Sequence, residues 1–248
     1  MSLRLKAALL AIATAAAMPA AGADQALIEK GRALFSDTSL SADSKFACAT
    51  CHPKNGHTDN KTYIGTNVVA DGDPMGRSTP TLWAAGRRSV YSWAGTVPML
   101  ETNIRGIIVN RMKGAEPSPE TLGALAAYVR SLPPQPKQVD ENGVPADAAP
   151  AAVKRGFALF TGAGACGACH VPGSFDKADP EDIETGGKFK VASLWAVSQT
   201  APYFHDGRTK TLSDAAKAMW EMSTKKAGKQ TSPTAAELAD VVAYLNAL

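Results

Sequence analysis

"CATCH", Cys48–His52, is answered in the second half of the chain by "CGACH", Cys166–His170, and the two segments use all four cysteines of the 248 residues. How four thiols grouped this way are used decides the fold. Disulfides suit an exported chain. A redox dithiol needs a βαβ pattern around it, which is missing here. Zinc could join two such pairs but gives no reason for a histidine directly after each. Cys-x-x-Cys-His is the attachment signal for c-type haem: the thiols add to the porphyrin vinyl groups, and the short turn sets the next imidazole beneath the iron. On this reading Cys48, Cys51, Cys166 and Cys169 hold two covalent haem c groups, with His52 and His170 as proximal iron ligands.

The sequence around the motifs is also duplicated. "EKGRALF" (Glu29–Phe35) is matched by "KRGFALF" (Lys154–Phe160), and "TPTLWAA" by "VASLWAV", each tryptophan (Trp83, Trp195) ten residues before Trp93 and His205. "SPETLGALAAYVRSL" is matched by "SPTAAELADVVAYLNAL". In these closing segments Leu122, Leu125, Tyr128, Val129 and Leu132, and again Leu238, Val241, Val242 and Leu245, recur at helical spacing. Each follows Ser-Pro with a glutamate in the first turn, a helix start signal. Alternating Val/Ile/Thr runs are absent. The expected fold is all-α: two class-I cytochrome c-like domains, 24–132 and 151–248, each wrapped around one haem that fills a thin core. The Pro- and polar-rich stretch 133–150 reads as a linker.

Residues 1–23 read as a secretory leader. Arg4 and Lys6 precede an apolar run, Ala7 to Met18, and Ala21-Gly22-Ala23 forms a cleavage site, so the protein is expected in the periplasm, cut after Ala23. The run is shorter than the ~20 residues of a spanning helix. Of 26 basic and 23 acidic side chains the leader holds two, so the formal charge falls from +3 to +1 on cleavage. That balance, without a basic stripe, excludes a nucleic-acid-binding chain.

The sixth ligand of each iron decides function. Met219 lies on an expected helix, "SDAAKAMWEM", that could cross the far face of the second haem, and Met222 is its neighbour. The matching position in the first half is Ile107, which cannot bind iron: "YSWAGTVPMLETNIRGI" (Tyr91–Ile107) runs in register with "YFHDGRTKTLSDAAKAM" (Tyr203–Met219). His57 follows His52 by five residues, which span at most ~18 Å, so it is expected as an exposed loop residue. Met75, Met99 and Met112 remain as sixth ligands for the first haem.

With these residues in place, the chain resembles the bacterial dihaem cytochrome c peroxidase family, which includes MauG. "VASLWAVSQTAPYFHDGRTKTLSDAAKAM" is similar to its second-haem signature without a gap, and "CATCH", "GRSTPTLWAA" and "YSWAGTVPMLETNIRG" resemble its first-haem region. The resemblance implies that Met219 is the distal methionine of the high-potential haem, where MauG has tyrosine. It implies that Trp93 lies between the haems as an electron relay, and that His205 sits near a haem edge without binding iron. It further implies a calcium ion between the domains, with Ser78, Thr200 and Pro202 at its ligand positions, although the family has asparagine where Ser78 stands. Two departures matter. The family's reversible distal histidine has no counterpart, Met75 being the nearest substitute, and its catalytic glutamate falls on Lys113.

Peroxide cleavage needs a group that accepts a proton and returns it, worth about a hundred- to ten-thousand-fold. A lysine, protonated unless strongly desolvated, cannot accept first, and Glu101 and Glu116 read as surface charges. The leading expectation is therefore a periplasmic dihaem electron carrier serving a small cytochrome, a cupredoxin or a periplasmic redox enzyme. The alternative is reduction of hydrogen peroxide at the first haem, with electrons arriving through the second haem and Trp93. MauG-like oxidation of a partner protein is a third, opposed by Met219.

Overall fold

The computed structural model describes residues 21–63, 76–134 and 136–248, with backbone alone at 21–23 and 54. The expected leader falls outside the described residues in all but its last three positions, and so does Met75. Among the described residues no helix is long and apolar enough to cross a membrane.

The architecture is mostly helical, as expected. The first half holds α1 (Ala21–Phe35), the single turns α2 (Cys48–Cys51) and α3 (Pro53–Gly56), α4 (Leu100–Gly106) and α5 (Pro119–Ser131). The second holds α6 (Ala151–Thr161), α7 (Leu212–Lys226) and α8 (Ala235–Ala247). Two antiparallel ladders of two residues per strand, β1 (Thr62–Tyr63) with β2 (Arg77–Ser78) and β3 (Glu181–Asp182) with β4 (Lys188–Phe189), tie down the long loops.

Each half repeats one packing unit. In the first, α1 lies on α5 and buries Phe35, Leu125, Tyr128, Val129 and Leu132; in the second, α6 lies on α8 and buries Phe160, Val241, Tyr244 and Leu245. The expected stripe of α8 omitted Tyr244, the counterpart of Tyr128, whose hydroxyl donates to Gly143 O at 2.9 Å. The Ser118 hydroxyl caps α5 with Pro119 in its first turn, as anticipated. The second start signal is displaced: Thr234 is the cap of α8, exchanging bonds with Glu237 in a capping box, and Ser232-Pro233 lies just outside.

The two helix pairs cross at equivalent glycines. A Cβ on Gly31 would stand 1.9 Å from Ala124 O, and one on Gly156 would stand 2.0 Å from Asp240 O. The obstacle is backbone on the facing helix, which cannot rotate aside, so the crossing distance itself selects glycine. The shared "G-x-A-L-F" spacing marks this closest approach.

The stretch 133–150 is more than a spacer. Lys137 N–H donates to Ala247 O at 2.9 Å, Val139 bridges Pro145, and Val139 and Ala149 are buried in the second core. Its proline and polar content gave a linker reading because the few apolar contacts are widely spaced.

Gly31→Ala and Gly156→Ala are each expected to destabilise the protein by about 1–3 kcal/mol, the usual range for overpacking, despite the higher helix propensity of alanine. Gly123→Ala, in α5 with nothing within 4 Å of the added carbon, should instead stabilise by about 0.5–1 kcal/mol. Thermal unfolding of the three variants tests both signs.

Candidate functional site

Each Cys-x-x-Cys-His segment is a tight turn that aims its side chains into its own half. Cys48–Cys51 forms α2, and Cys166–Ala168 forms a 3₁₀ turn. In both, the histidine N–H donates to the first cysteine's carbonyl at 2.9 Å, His52 to Cys48 and His170 to Cys166. That bond fixes the imidazole relative to both thiols. None of the four cysteines is in a disulfide.

The turns open onto two cavities, about 200 Å³ in the first half and about 210 Å³ in the second. Packed interiors leave few voids larger than a water molecule, so such spaces are built around a large group. Cys48, Cys51 and His52 line the first with Phe35, Ile104, Ile107 and Leu125; Cys166, Cys169 and His170 line the second with Phe160, Met219 and Leu245. The donor chemistry suits haem. Burial holds His52 near pKa 4, in the neutral form that binds iron, and its Nδ1 is buried with no hydrogen-bond partner among the described residues. Burial also lowers the pKa of His170, whose Nδ1 lies 3.1 Å from Phe175 O, an arrangement that leaves Nε2 to face a metal. Burial pushes Cys48 and Cys166 up to about 11, keeping both as thiols.

The other expected site residues divide. Met219 and Met222, both on α7, line the second cavity. Ile107 lines the first, at the start of a π-helical turn, Ile107–Arg111, that continues α4. Met112 lines the first cavity and is buried. Met99 does not reach it: the residue is 57% exposed at the N-cap of α4, where its extended backbone turns the side chain outward. His57 corrects another expectation. It is buried, not exposed, because it stacks on Trp83 at 4.2 Å, with Nδ1 2.9 Å from Thr81 Oγ1.

Lys113 is exposed and off the cavity wall. Glu101 and Glu116 are held in bidentate pairs with Arg130 and Arg105. Among the described residues that line the first cavity there is no carboxylate at all; its polar groups include Asn103 and Arg111 near the π turn.

Trp93 lies between the cavities and lines both, its Nε1–H donating to Ser78 O at 2.9 Å. His205 lines the second cavity, buried and stacked on Phe189 at 3.6 Å. Ser78, Thr200 and Pro202 all line the second cavity, and Ser78 Oγ donates to Pro202 O at 3.2 Å. Beside them the Asn60 amide donates to Gln199 O at 2.8 Å and Ala201 O at 2.6 Å.

Lys190 and Arg88, which also line both cavities, escaped sequence reasoning. One signal was available. Lys190 stands in "FKVASLW" where Ser78 stands in "RSTPTLW", so the duplication itself marked the position.

Comparison with known proteins follows this geometry. The family model described as di-haem cytochrome c peroxidase matches residues 25–141. The methylamine utilization protein MauG of Methylorubrum extorquens is 31% identical over an alignment covering 73% of this chain and 65% of that protein, so the chain spans less than two thirds of its length. The cytochrome c551 peroxidase of Pseudomonas aeruginosa is 27% identical, covering 89% of this chain and 78% of that one. In structure, a MauG-like protein associated with microbial copper homeostasis superposes with a TM-score of 0.70 at 23% identity, over 90% of this chain and 88% of that one. The diheme peroxidase BthA from Burkholderia thailandensis does so with 0.66 at 18%, over 90% and 86%. Motifs, duplicated helical halves and relatives agree: the chain belongs to the di-haem cytochrome c peroxidase and MauG family.

Proposed function

We propose that this protein is a periplasmic di-haem electron carrier. The observation that carries the reading is the wall of the first cavity, where the described residues supply no carboxylate to move a proton between peroxide oxygens. Haem, when bound, supplies a one-electron iron couple, with a raised potential where histidine and methionine are the axial ligands. Cys48 with Cys51, and Cys166 with Cys169, hold the two groups covalently. His52 and His170 present neutral imidazoles, and Met219 gives the second site its sulfur. Ile107, which cannot bind iron, stands at the corresponding place in the first site. Trp93 spans the wall between the sites and carries electrons across it. The partner is a small cytochrome, a cupredoxin or a periplasmic redox enzyme.

Ile107 also favours a second reading, reduction of hydrogen peroxide at the first site, because no sulfur closes that position. Peroxide separates the two. Added to the fully oxidised or half-reduced protein, it is expected to leave the spectra of both haems unchanged over minutes. Rapid turnover with a reduced small cytochrome, together with a high-spin ferric centre, would replace the carrier reading with the peroxidase one.

Met219→Ala is expected to lower the midpoint potential of one haem by at least roughly tenfold in its one-electron equilibrium, about 59 mV, and to leave the other in place. Met222→Leu should move neither. Spectropotentiometry of both variants decides which methionine serves the second site. Chelation with EGTA should leave the melting temperature and both potentials unchanged, since Asn60 and Ser78 hold the joint where the family resemblance implies calcium.

A further inference from the structure

The wall between the two cavities has an unusual charge. Among the described residues six line both sides, Ser78, Thr79, Pro80, Arg88, Trp93 and Lys190, and two of them are cations. One buried acid, Asp176, acts on both, and it already accepts a bond from Ser89 N–H at 3.0 Å. Arg88 is anchored by donation from Nη2 to Thr81 O at 2.6 Å, while its Nε is buried without a partner among the described residues. Lys190 is 8% exposed, and its ammonium stands 5.7 Å from the centroid of the Trp93 ring. Positive charge held away from water is costly, and its field is poorly screened.

We propose that Lys190 is a positioning residue for electron transfer, a single buried cation that raises the reduction potentials of both redox cofactors together because it borders both cavities. The proposal rests on reading the cavities as haem sites. The sign follows from charge. Reduction removes one positive charge from each iron, so a fixed cation favours the reduced form. A unit charge acting over about 10 Å at an effective dielectric near 20 changes such an equilibrium by on the order of tenfold. The same ammonium opposes loss of an electron from the Trp93 indole, where a second positive charge would arise 5.7 Å away. Trp93 therefore conducts electrons without becoming a resting place for an oxidising equivalent. Lys190, rather than Arg88, is assigned this role because it alone of the two faces the indole.

The test is spectropotentiometry of the purified holoprotein with the two haems resolved. It is run at pH 6, because burial, reinforced by Arg88, lowers the Lys190 pKa to about 7. Lys190→Met is expected to lower both potentials by roughly tenfold in equilibrium constant, about 59 mV each for one electron. Lys190→Arg should leave both near their original values. Lys190→Gln repeats the test with a polar side chain if the methionine variant does not fold. A charge-removing variant that keeps both haems and its melting temperature, yet shifts neither potential or only one, overturns the proposal. Absence of two covalently bound haems from the wild-type protein would instead overturn the reading beneath it, and mass spectrometry shows that separately.

Discussion

Two backbone hydrogen bonds fix the relation between the halves. Lys190 N–H donates to Trp93 O at 2.8 Å, and Ser78 N–H donates to His205 O at 2.8 Å. Lys190 and Ser78 are counterparts in the duplication, as are Trp93 and His205, so the two bonds are one contact made twice about a pseudo-twofold. Each half thereby presents its aromatic loop to the other half's strand. The loops turn at Gly95 (φ +66°) and Gly207 (φ +69°), and an added Cβ would meet Pro180 at 2.9 Å or Thr62 at 2.3 Å. A left-handed turn pressed against the opposite half admits glycine and little else. The shared wall between the cavities follows from this arrangement.

On that symmetric frame the sites have diverged. The α7 helix runs unbroken past Met219, whereas its counterpart changes at Ile107 from α to π winding. A π turn rotates every later side chain relative to an α-helix, and such turns recur at functional sites. Here it brings Ile108, Arg111 and Met112 onto the first cavity. The difference between the halves is therefore a change of helical geometry as well as of one side chain. The same duplication accounts for Trp93 facing His205 at 6.4 Å between ring centroids: the second copy places an imidazole where the first places its indole.

The parts of the fold legible in the sequence were those set by local rules. The paired Cys-x-x-Cys-His turns, the stripes of α5 and α8, the Ser118 cap and the register of the two copies all depend on residues close together in the chain. Tyr244 was left out of its stripe although its counterpart Tyr128 was counted in the other, and its partner, Gly143, is remote in sequence. His57 was expected in solvent because nothing local predicts a stack on Trp83. Lys190 was marked only by its register with Ser78, which gives its place and not its burial: a lysine looks solvated until a second half closes over it. Arg88 reads as one of a pair of surface arginines with Arg87, yet it alone turns inward. Fold and cofactor chemistry were thus written in short spacings, while the electrostatics between the sites required the assembled whole.

The walls of each cavity come from both ends of its half. In the first, Phe35 of α1 and Val129 of α5 enclose the cysteine turn that lies between them in sequence; in the second, Phe160 of α6 and Leu245 of α8 do the same. Neither chamber exists until the last helix of its half has docked on the first. Nor is either chamber finished by its own half: Lys190 reaches the first and Trp93 the second, so each site depends on the docking of both halves.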